Sequence, residues 1–455
     1  MTDVMVLGAG PAGVGAALRV ARSGLAVTLI ERAPTPGGAA GSTVVGGMRV
    51  DFGSHRLHRT IEPAILAELR SLLGEDLQLR VRNGRIRLDG RWIAFPLRGS
   101  DLMRGLPPSF AWGAARDAAT AWARRPKEDS FAEVLRAGLG RTMCERFYFP
   151  YARKLWGVEP SELSGEQARR RVSAASPARV IGRLRAGDEK RTFLYPRRGF
   201  GQLWEAMAEE AAAAGAEVRF GCRVERVHLE ADRVTAETSD GETLEAARCW
   251  STIPVTALAR VAGAPGDVVA AADSLDFRAM LLVYLVLDVD RYSDFDAHYL
   301  PEESTPVTRV SEPKNYRDGD DPPGRTVLCA EIPCRLGGDL WEADDSALGD
   351  EVVRTLVSAG LPDPKPADVE VRRLSHAYPI YRRGYEKSFD RLDVWAGSHD
   401  RLLTFGRGGL FAHDNSHHAL AMAWAASAAL RPGVGFDEAA WARARRSFRS
   451  HVVED

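Results

Sequence analysis

Near the amino terminus, VMVLGAGPAGVGAALRV removes the side chain at Gly8, Gly10 and Gly13, a pattern that few folds use in this setting. Val4–Leu7 form a short continuous apolar run, as expected of a strand buried on both faces of a parallel sheet. Ala16, Ala17, Leu18 and Val20 then recur at near-helical spacing. Gly8 allows a tight strand-to-helix turn, Gly10 lets a diphosphate approach bare backbone, and Gly13 lets the helix pack on the strand. The helix N-terminus then aims its N–H groups at the phosphates. A second apolar run, Ala26–Ile30, ends on Glu31, where a carboxylate can accept hydrogen bonds from a ribose diol. Strand, glycines, helix, strand and acid in that order predict a dinucleotide site. The absence of an arginine in place of Glu31 argues against a ribose 2′-phosphate.

Other features bound the class. A chain of 455 residues is expected to hold two domains. Sixty-one basic and 62 acidic residues leave a net charge of −1, so no global basic field attracts nucleic acid or an anionic membrane. Arg169-Arg170-Arg171 reads as a solvated helix face or as a local anion site. No stretch reaches the length needed to span a bilayer. The first strand begins at once, leaving no room for a signal peptide, and the expectation is a cytoplasmic protein. Cys144, Cys222, Cys249, Cys329 and Cys334 form no CxxC pair, so they are expected to be reduced core thiols, with no metal site.

Along the chain, Glu62–Leu73 reads as a helix. RIRLDGRWIAF reads as a hairpin around Asp89-Gly90. Residues 100 to about 190 read as mainly helical. A helix over Gly201–Ala214 and strands at Glu217–Phe220, Arg223–Leu229 and Arg248–Ile253 follow. Strand-like runs at 280–291 and 326–332 predict a second sheet, and 435–450 a polar C-terminal helix. DGDDPPGR (Asp318–Arg325) has the composition of a surface turn.

After Glu31 comes PGGAAGSTVVGGMRVDFGSHRLHR, in which a glycine-rich loop can bring more N–H groups to a diphosphate or a flavin. With GAGPAG, Glu31, Gly37-Gly38 and DFGSH (Asp51–His55), the chain resembles the flavoprotein superfamily of amine oxidases, protoporphyrinogen oxidases, phytoene desaturases and UDP-galactopyranose mutases. Many members carry an arginine straight after the glycine pair, whereas this chain has Ala39. The resemblance implies that Gly53, Ser54 and His55 approach the flavin, with His58 behind, and that the cofactor also touches Arg32 and Val224. Without it, both histidines read first as core hydrogen-bonding groups, and the resemblance changes that for His55 alone.

FYFPYARKLWGVEPSEL (Phe147–Leu163) resembles a tyrosine, lysine, Trp-Gly element of the same superfamily, which implies that Tyr151, Lys154 and Trp156 lie by the substrate. On residue chemistry alone, the aromatics are as readily core and Lys154 a snorkelling side chain. YPIYRRGYE (Tyr378–Glu386) offers Tyr378 and paired arginines that either grip an anion or end a strand in solvent.

GRGGLFAHDNSHHALAMAWAAS closes the pattern. Asp414, Asn415 and Ser416 are N-cap residue types ahead of the apolar run Leu420, Met422, Ala423, Trp424 and Ala426. A helix starting there offers N–H groups and a positive dipole end to the flavin edge that gains negative charge on reduction. The segment resembles the closing FAD motif of the superfamily, which implies Arg407 beside the ring and backbone donors from Asn415, Ser416, His417 and His418.

The implied fold is α/β: a Rossmann-like FAD-binding domain of glutathione-reductase type, interleaved with an α+β substrate domain under a mainly helical cap. The expected segments are 1–75, 191–270 and 386–455 for FAD, and 76–190 and 271–385 for substrate. No cysteine sits in a setting for covalent attachment, so FAD is expected to be non-covalent. The expected activity is hydride transfer from a small-molecule substrate to flavin N5, with His55, Arg407, Lys154, Trp156 and Tyr378 in the catalytic site. The alternative is a sugar-nucleotide mutase of the UDP-galactopyranose mutase type, whose chemistry has no net redox change.

Overall fold

The first apolar run becomes the strand Thr2–Leu7, near the centre of a seven-stranded sheet, in the computed structural model, which describes residues 2–59, 61–96, 105–171 and 192–453. Val4 and Val6 point into one apolar cluster, Met5 and Leu7 into another on the opposite face. Burial on both faces is what an unbroken apolar run requires. The strand pairs in parallel with Val27–Ile30 and with Thr243–Ser251. Leu402–Thr404 and Glu217–Arg219 extend the parallel part, and the antiparallel strands Val224–Leu229 and Val234–Thr238 continue it. The helices Pro11–Arg22, Gln202–Ala213 and Ser416–Ala429 cover the face of Val4 and Val6.

A second seven-stranded sheet runs in the order Asp368–Pro379, Phe277–Leu287, Thr326–Cys334, Arg309–Ser311, Ala297–Tyr299, Gly84–Leu88 and Arg91–Phe95. The helix Asp345–Ser358 covers one face, and the hairpin Ser42–Val45/Met48–Asp51 packs Val45, Met48 and Val50 on the other. Asp89 and Gly90 both take positive φ (49° and 75°), the geometry of the expected tight hairpin turn. The chain thus crosses repeatedly between the two sheets.

Between them in sequence lie the helices Pro63–Leu73, Pro108–Ala119, Phe131–Leu139 and Gly165–Arg171. A further continuous helical run consists of Arg141–Met143, the π-turn Cys144–Tyr148 and Phe149–Trp156. Residues 100–104 and 172–190 of the expected helical region fall outside the described residues. The strand expected to start at Arg248 starts at Thr243, because its polar first half pairs with Val234–Thr238 as well. The C-terminal helix is Glu438–Phe448. All five cysteines are buried free thiols. No described helix is long and apolar enough to cross a membrane.

Candidate functional site

The glycines of both N-terminal loops meet. Gly8 has φ +92° and donates from its N–H to the Ile30 carbonyl at 2.8 Å. A Cβ on Gly13 would lie 1.7 Å from the Gly8 oxygen, so only glycine fits the strand–helix contact. A Cβ on Gly10 would meet nothing within 4 Å, which leaves an open cradle at the N-terminus of Pro11–Arg22. The Gly37 N–H donates to the Ala9 carbonyl at 2.8 Å, and a Cβ on Gly38 would sit 3.4 Å from the Gly10 Cα. Both loops therefore line one cradle.

Glu31 accepts the Ala9 N–H at Oε2 (2.7 Å) and the Ala33 N–H at Oε1 (2.8 Å), which fixes its carboxylate at the rim. Arg32 beside it is exposed. Val224 begins a strand close by, since the Cys222 N–H donates to the Glu31 carbonyl at 2.9 Å. The carboxyl-terminal motif closes on the same place. A Cβ on Gly406 would fall 2.8 Å from that of Ala12 and 3.6 Å from that of Thr252, whose Oγ1 donates to the Leu7 carbonyl.

The DFGSH segment is anchored by Asp51, whose buried carboxylate accepts from Tyr195 (2.5 Å), Ser42 (2.7 Å) and the Phe200 N–H (2.8 Å). Gly53 takes φ +96°, and the Ser54 N–H donates to Glu331 Oε1 at 2.8 Å. His55 lies against the Phe200 ring, centroids 5.2 Å apart. Its Nε2 lies 2.9 Å from the carbonyl of Ala39 and 3.0 Å from that of Phe52, so it carries the proton there. Burial lowers its pKa and favours the neutral ring.

Beyond this segment the cleft is cationic and tyrosine-rich. Arg309 forks onto Glu331 (2.7 and 2.9 Å from Nη2), donates to the Ser54 carbonyl (3.3 Å), and lies over Tyr299. Tyr378 and Tyr151 stand within its electrostatic reach. Arg407 and Arg171 each place a guanidinium carbon 5.3 Å from the centroid of the Tyr378 ring. His413 meets that ring edge-on at 5.3 Å; it is 2% exposed, and neither ring nitrogen has a hydrogen-bond partner among the described residues. Burial, then the charges of Arg171, Arg407 and Arg170, push its pKa well down. His413 is thus a neutral imidazole whose two nitrogens are enclosed by the protein itself.

The other expected site residues lie as follows. Lys154 is committed to the backbone, donating to the carbonyls of Leu300 (2.6 Å) and Glu302 (2.8 Å). Burial lowers its pKa to about 7, and a neutral amine has two N–H bonds for those two carbonyls. Trp156 is a core residue against Phe131, in a cluster that Tyr378 also flanks, and Arg171 stacks on both rings. Only Arg169 of the arginine triplet is solvated, paired with Asp129, whereas Arg170 is buried on Glu166 and Arg171 faces Tyr378. Arg382 and Arg383 form surface ion pairs, and the buried Tyr381 hydroxyl donates to the Phe411 carbonyl. Asn415 is the N-cap of Ser416–Ala429, but its N–H donates to His418 Nδ1 (3.3 Å) and its side chain accepts the His418 N–H. Two of the four expected backbone donors are thus used inside the cap. Asp414, His418 and His451 bring ligand atoms within 4.8 Å of one another, and the Arg170 guanidinium, 3.5 Å from Asp414, already supplies positive charge there.

The sequence reading missed Arg309, Glu331 and His413, and held Arg171 only as part of a run that was a solvated face or an anion site. Arg171 had a local signal in the arginine run; Arg309 and Glu331 are joined only by strand register, directly opposite each other in the sheet.

The fold is α/β, with a glycine-lined cradle at the N-terminus of Pro11–Arg22 and a cluster of arginines and tyrosines around Tyr378. The chain belongs to the flavin-containing amine oxidoreductase family, whose model matches residues 11–426, and FAD is its cofactor. A phytoene dehydrogenase of Streptomyces griseus is 31% identical over 271 residues, 52% of each chain. The chain spans about half the length of the curated relatives it matches. Reduced UDP-galactopyranose mutase shares the fold over all of both chains, with a TM-score of 0.82 and 21% identity. Putrescine oxidase bound to putrescine does so with a TM-score of 0.65 and 17% identity, over 94% of this chain and 98% of that one.

Proposed function

We propose that this chain is an oxidoreductase that oxidises an anionic small molecule in the cleft between His55 and Tyr378. The observation that carries the reading is the cluster of Arg171, Arg309 and Arg407 around tyrosine rings, which suits a carboxylate- or phosphate-bearing substrate and repels a protonated amine. The parallel sheet is read as a Rossmann-like dinucleotide domain built from 1–75, 191–270 and 386–455, with 76–190 and 271–385 forming the substrate half. Gly8, Gly10, Gly13, Gly37 and Gly38 hold the diphosphate, Glu31 with Arg32 and Val224 the adenosine end, and Gly53, Ser54, His55, Arg407, Ser416 and His417 the isoalloxazine. Non-covalently bound FAD supplies a hydride acceptor at N5 in this reading. Arg309 and Arg171 orient the substrate anion, Tyr378 fixes Arg407, and His55 and Phe200 exclude water from the ring side.

A sugar-nucleotide mutase is the second reading, favoured by the same cationic cleft, because a nucleotide diphosphate is the densest anion such a cleft would take. Anaerobic mixing distinguishes the two. Bleaching of the oxidised flavin by a carboxylate- or phosphate-bearing substrate supports the oxidoreductase. Ring contraction of a nucleotide sugar by the pre-reduced enzyme alone, with no bleaching by any candidate, replaces it with the mutase.

A further inference from the structure

The segment that follows the helix Glu438–Phe448 folds back onto the start of the helix Ser416–Ala429. It is tied down at three points. The Val453 N–H donates to the Arg170 carbonyl at 2.8 Å, and Val453 is buried. The His451 ring lies flat on His418, with centroids 4.2 Å apart and planes at 13°. His451 Nδ1 donates to Asp414 Oδ2 at 3.0 Å. Residues beyond a last helix stay loose unless something holds them, and these are held by two separate helices, Gly165–Arg171 and Ser416–Ala429.

Asp414 gives the tie its electrostatic meaning. Its side chain is wholly shielded from solvent, and Oδ1 has no hydrogen-bond partner among the described residues. The Arg170 guanidinium stands 3.5 Å from Oδ1 but is shared with Glu166, 2.7 Å from its Nε. His418 Nδ1, 3.9 Å from Oδ1, accepts the Asn415 N–H and so has no proton to give the carboxylate. A buried carboxylate with incomplete hydrogen bonding projects a strong field. This one stands two residues before Ser416, where the helix turns its free N–H groups and positive end outward. Negative charge there opposes the negative charge that a flavin gains on reduction. The bond from His451 holds the carboxylate toward the tail and disperses its charge.

We propose that His451 is a positioning residue for the flavin: from the carboxyl-terminal tail it holds the Asp414 carboxylate away from the helix start, and so sets how readily the bound cofactor is reduced. The inference rests on the reading that Ser416 and His417 meet the isoalloxazine.

The test is the midpoint potential of the FAD-loaded chain, titrated anaerobically against a reference dye, which needs no substrate. His451→Phe keeps a ring on His418 but loses the donor, and the expected result is a lower potential. His451→Asn keeps a donor near the Nδ1 position and is expected to restore the wild-type value. Asp414→Asn removes the charge, is expected to raise the potential, and makes an added His451→Phe change silent. A wild-type potential in His451→Phe beside a shifted one in Asp414→Asn overturns the inference alone. Potentials unmoved in every variant overturn the placement of the isoalloxazine at this helix, and the inference with it. Equal drops in His451→Phe and His451→Asn, or loss of flavin absorbance from both, reduce His451 to a packing element and overturn the inference as well.

Discussion

Arg407 stands over the ring of Tyr378, its guanidinium carbon 5.3 Å from the centroid, and donates from Nη2 to the Ala377 carbonyl at 2.5 Å. Ring and carbonyl together hold one planar cation in one orientation, at the point where the strand Asp368–Pro379 meets the loop before Ser416–Ala429. Arg407→Ala is expected to leave the fold intact and lower kcat/KM by about a hundredfold, the scale for removing one preorganised charge from a site. Tyr378→Phe keeps the ring beneath the cation and has the smaller effect. Unchanged kinetics for Arg407→Ala in a steady-state assay would remove this residue from the site.

Gly10 and Gly13 separate cofactor binding from folding. Gly10→Ala adds a methyl to open space, so the apoprotein folds, while FAD affinity measured by fluorescence titration falls by about tenfold or more. Gly13→Ala drives a methyl into the Gly8 oxygen and costs about 3 kcal/mol or more, so the expected result is little soluble protein. Equal FAD affinity in wild type and Gly10→Ala would place the diphosphate elsewhere.

His413 carries a desolvation cost. Its buried nitrogens lack partners among the described residues, so His413→Phe is expected to remove a cost of about 1–3 kcal/mol and raise the Tm. An unchanged or lower Tm in thermal denaturation would contradict this.

Acid stability follows from buried neutral histidines. Burial, then the Arg85 charge, pushes the His298 pKa down from 6.5 to about 3, where the ring lies against Trp92 and Phe295. His55 and His413 are lowered too. The folded state therefore binds fewer protons than the unfolded chain below about pH 6.5. Stability is full above that value and falls with acid until the folded ring itself protonates near 3. Tm measured from neutral to acid pH should fall steeply for the wild type and less steeply for His298→Phe; superimposable slopes would contradict the assignment.

Much of the cofactor end was legible because its determinants are local. Gly8, Gly10 and Gly13 sit in one turn, Asp89-Gly90 is a self-contained hairpin signal, and Asn415 is an N-cap by residue type and position. The cleft was less legible because its charges are paired across the fold. Arg309 meets Glu331 through strand register, and Arg170 reaches Asp414 from a distant helix. Lys154 carries a motif-like setting, yet its amine is absorbed by two carbonyls that no nearby residue announces. A run of three arginines looks solvated when the groups that enclose it, Tyr378, Tyr381 and Asp414, lie far along the sequence.

The close approach of Gly406 to Ala12 has a consequence for biosynthesis. A ribosome delivers the glycine turn nearly four hundred residues before Gly406, by the numbering of those two positions. Until that later piece arrives, the nascent chain offers the coenzyme only part of a socket, and a stop codon before Gly406 is expected to yield a colourless product.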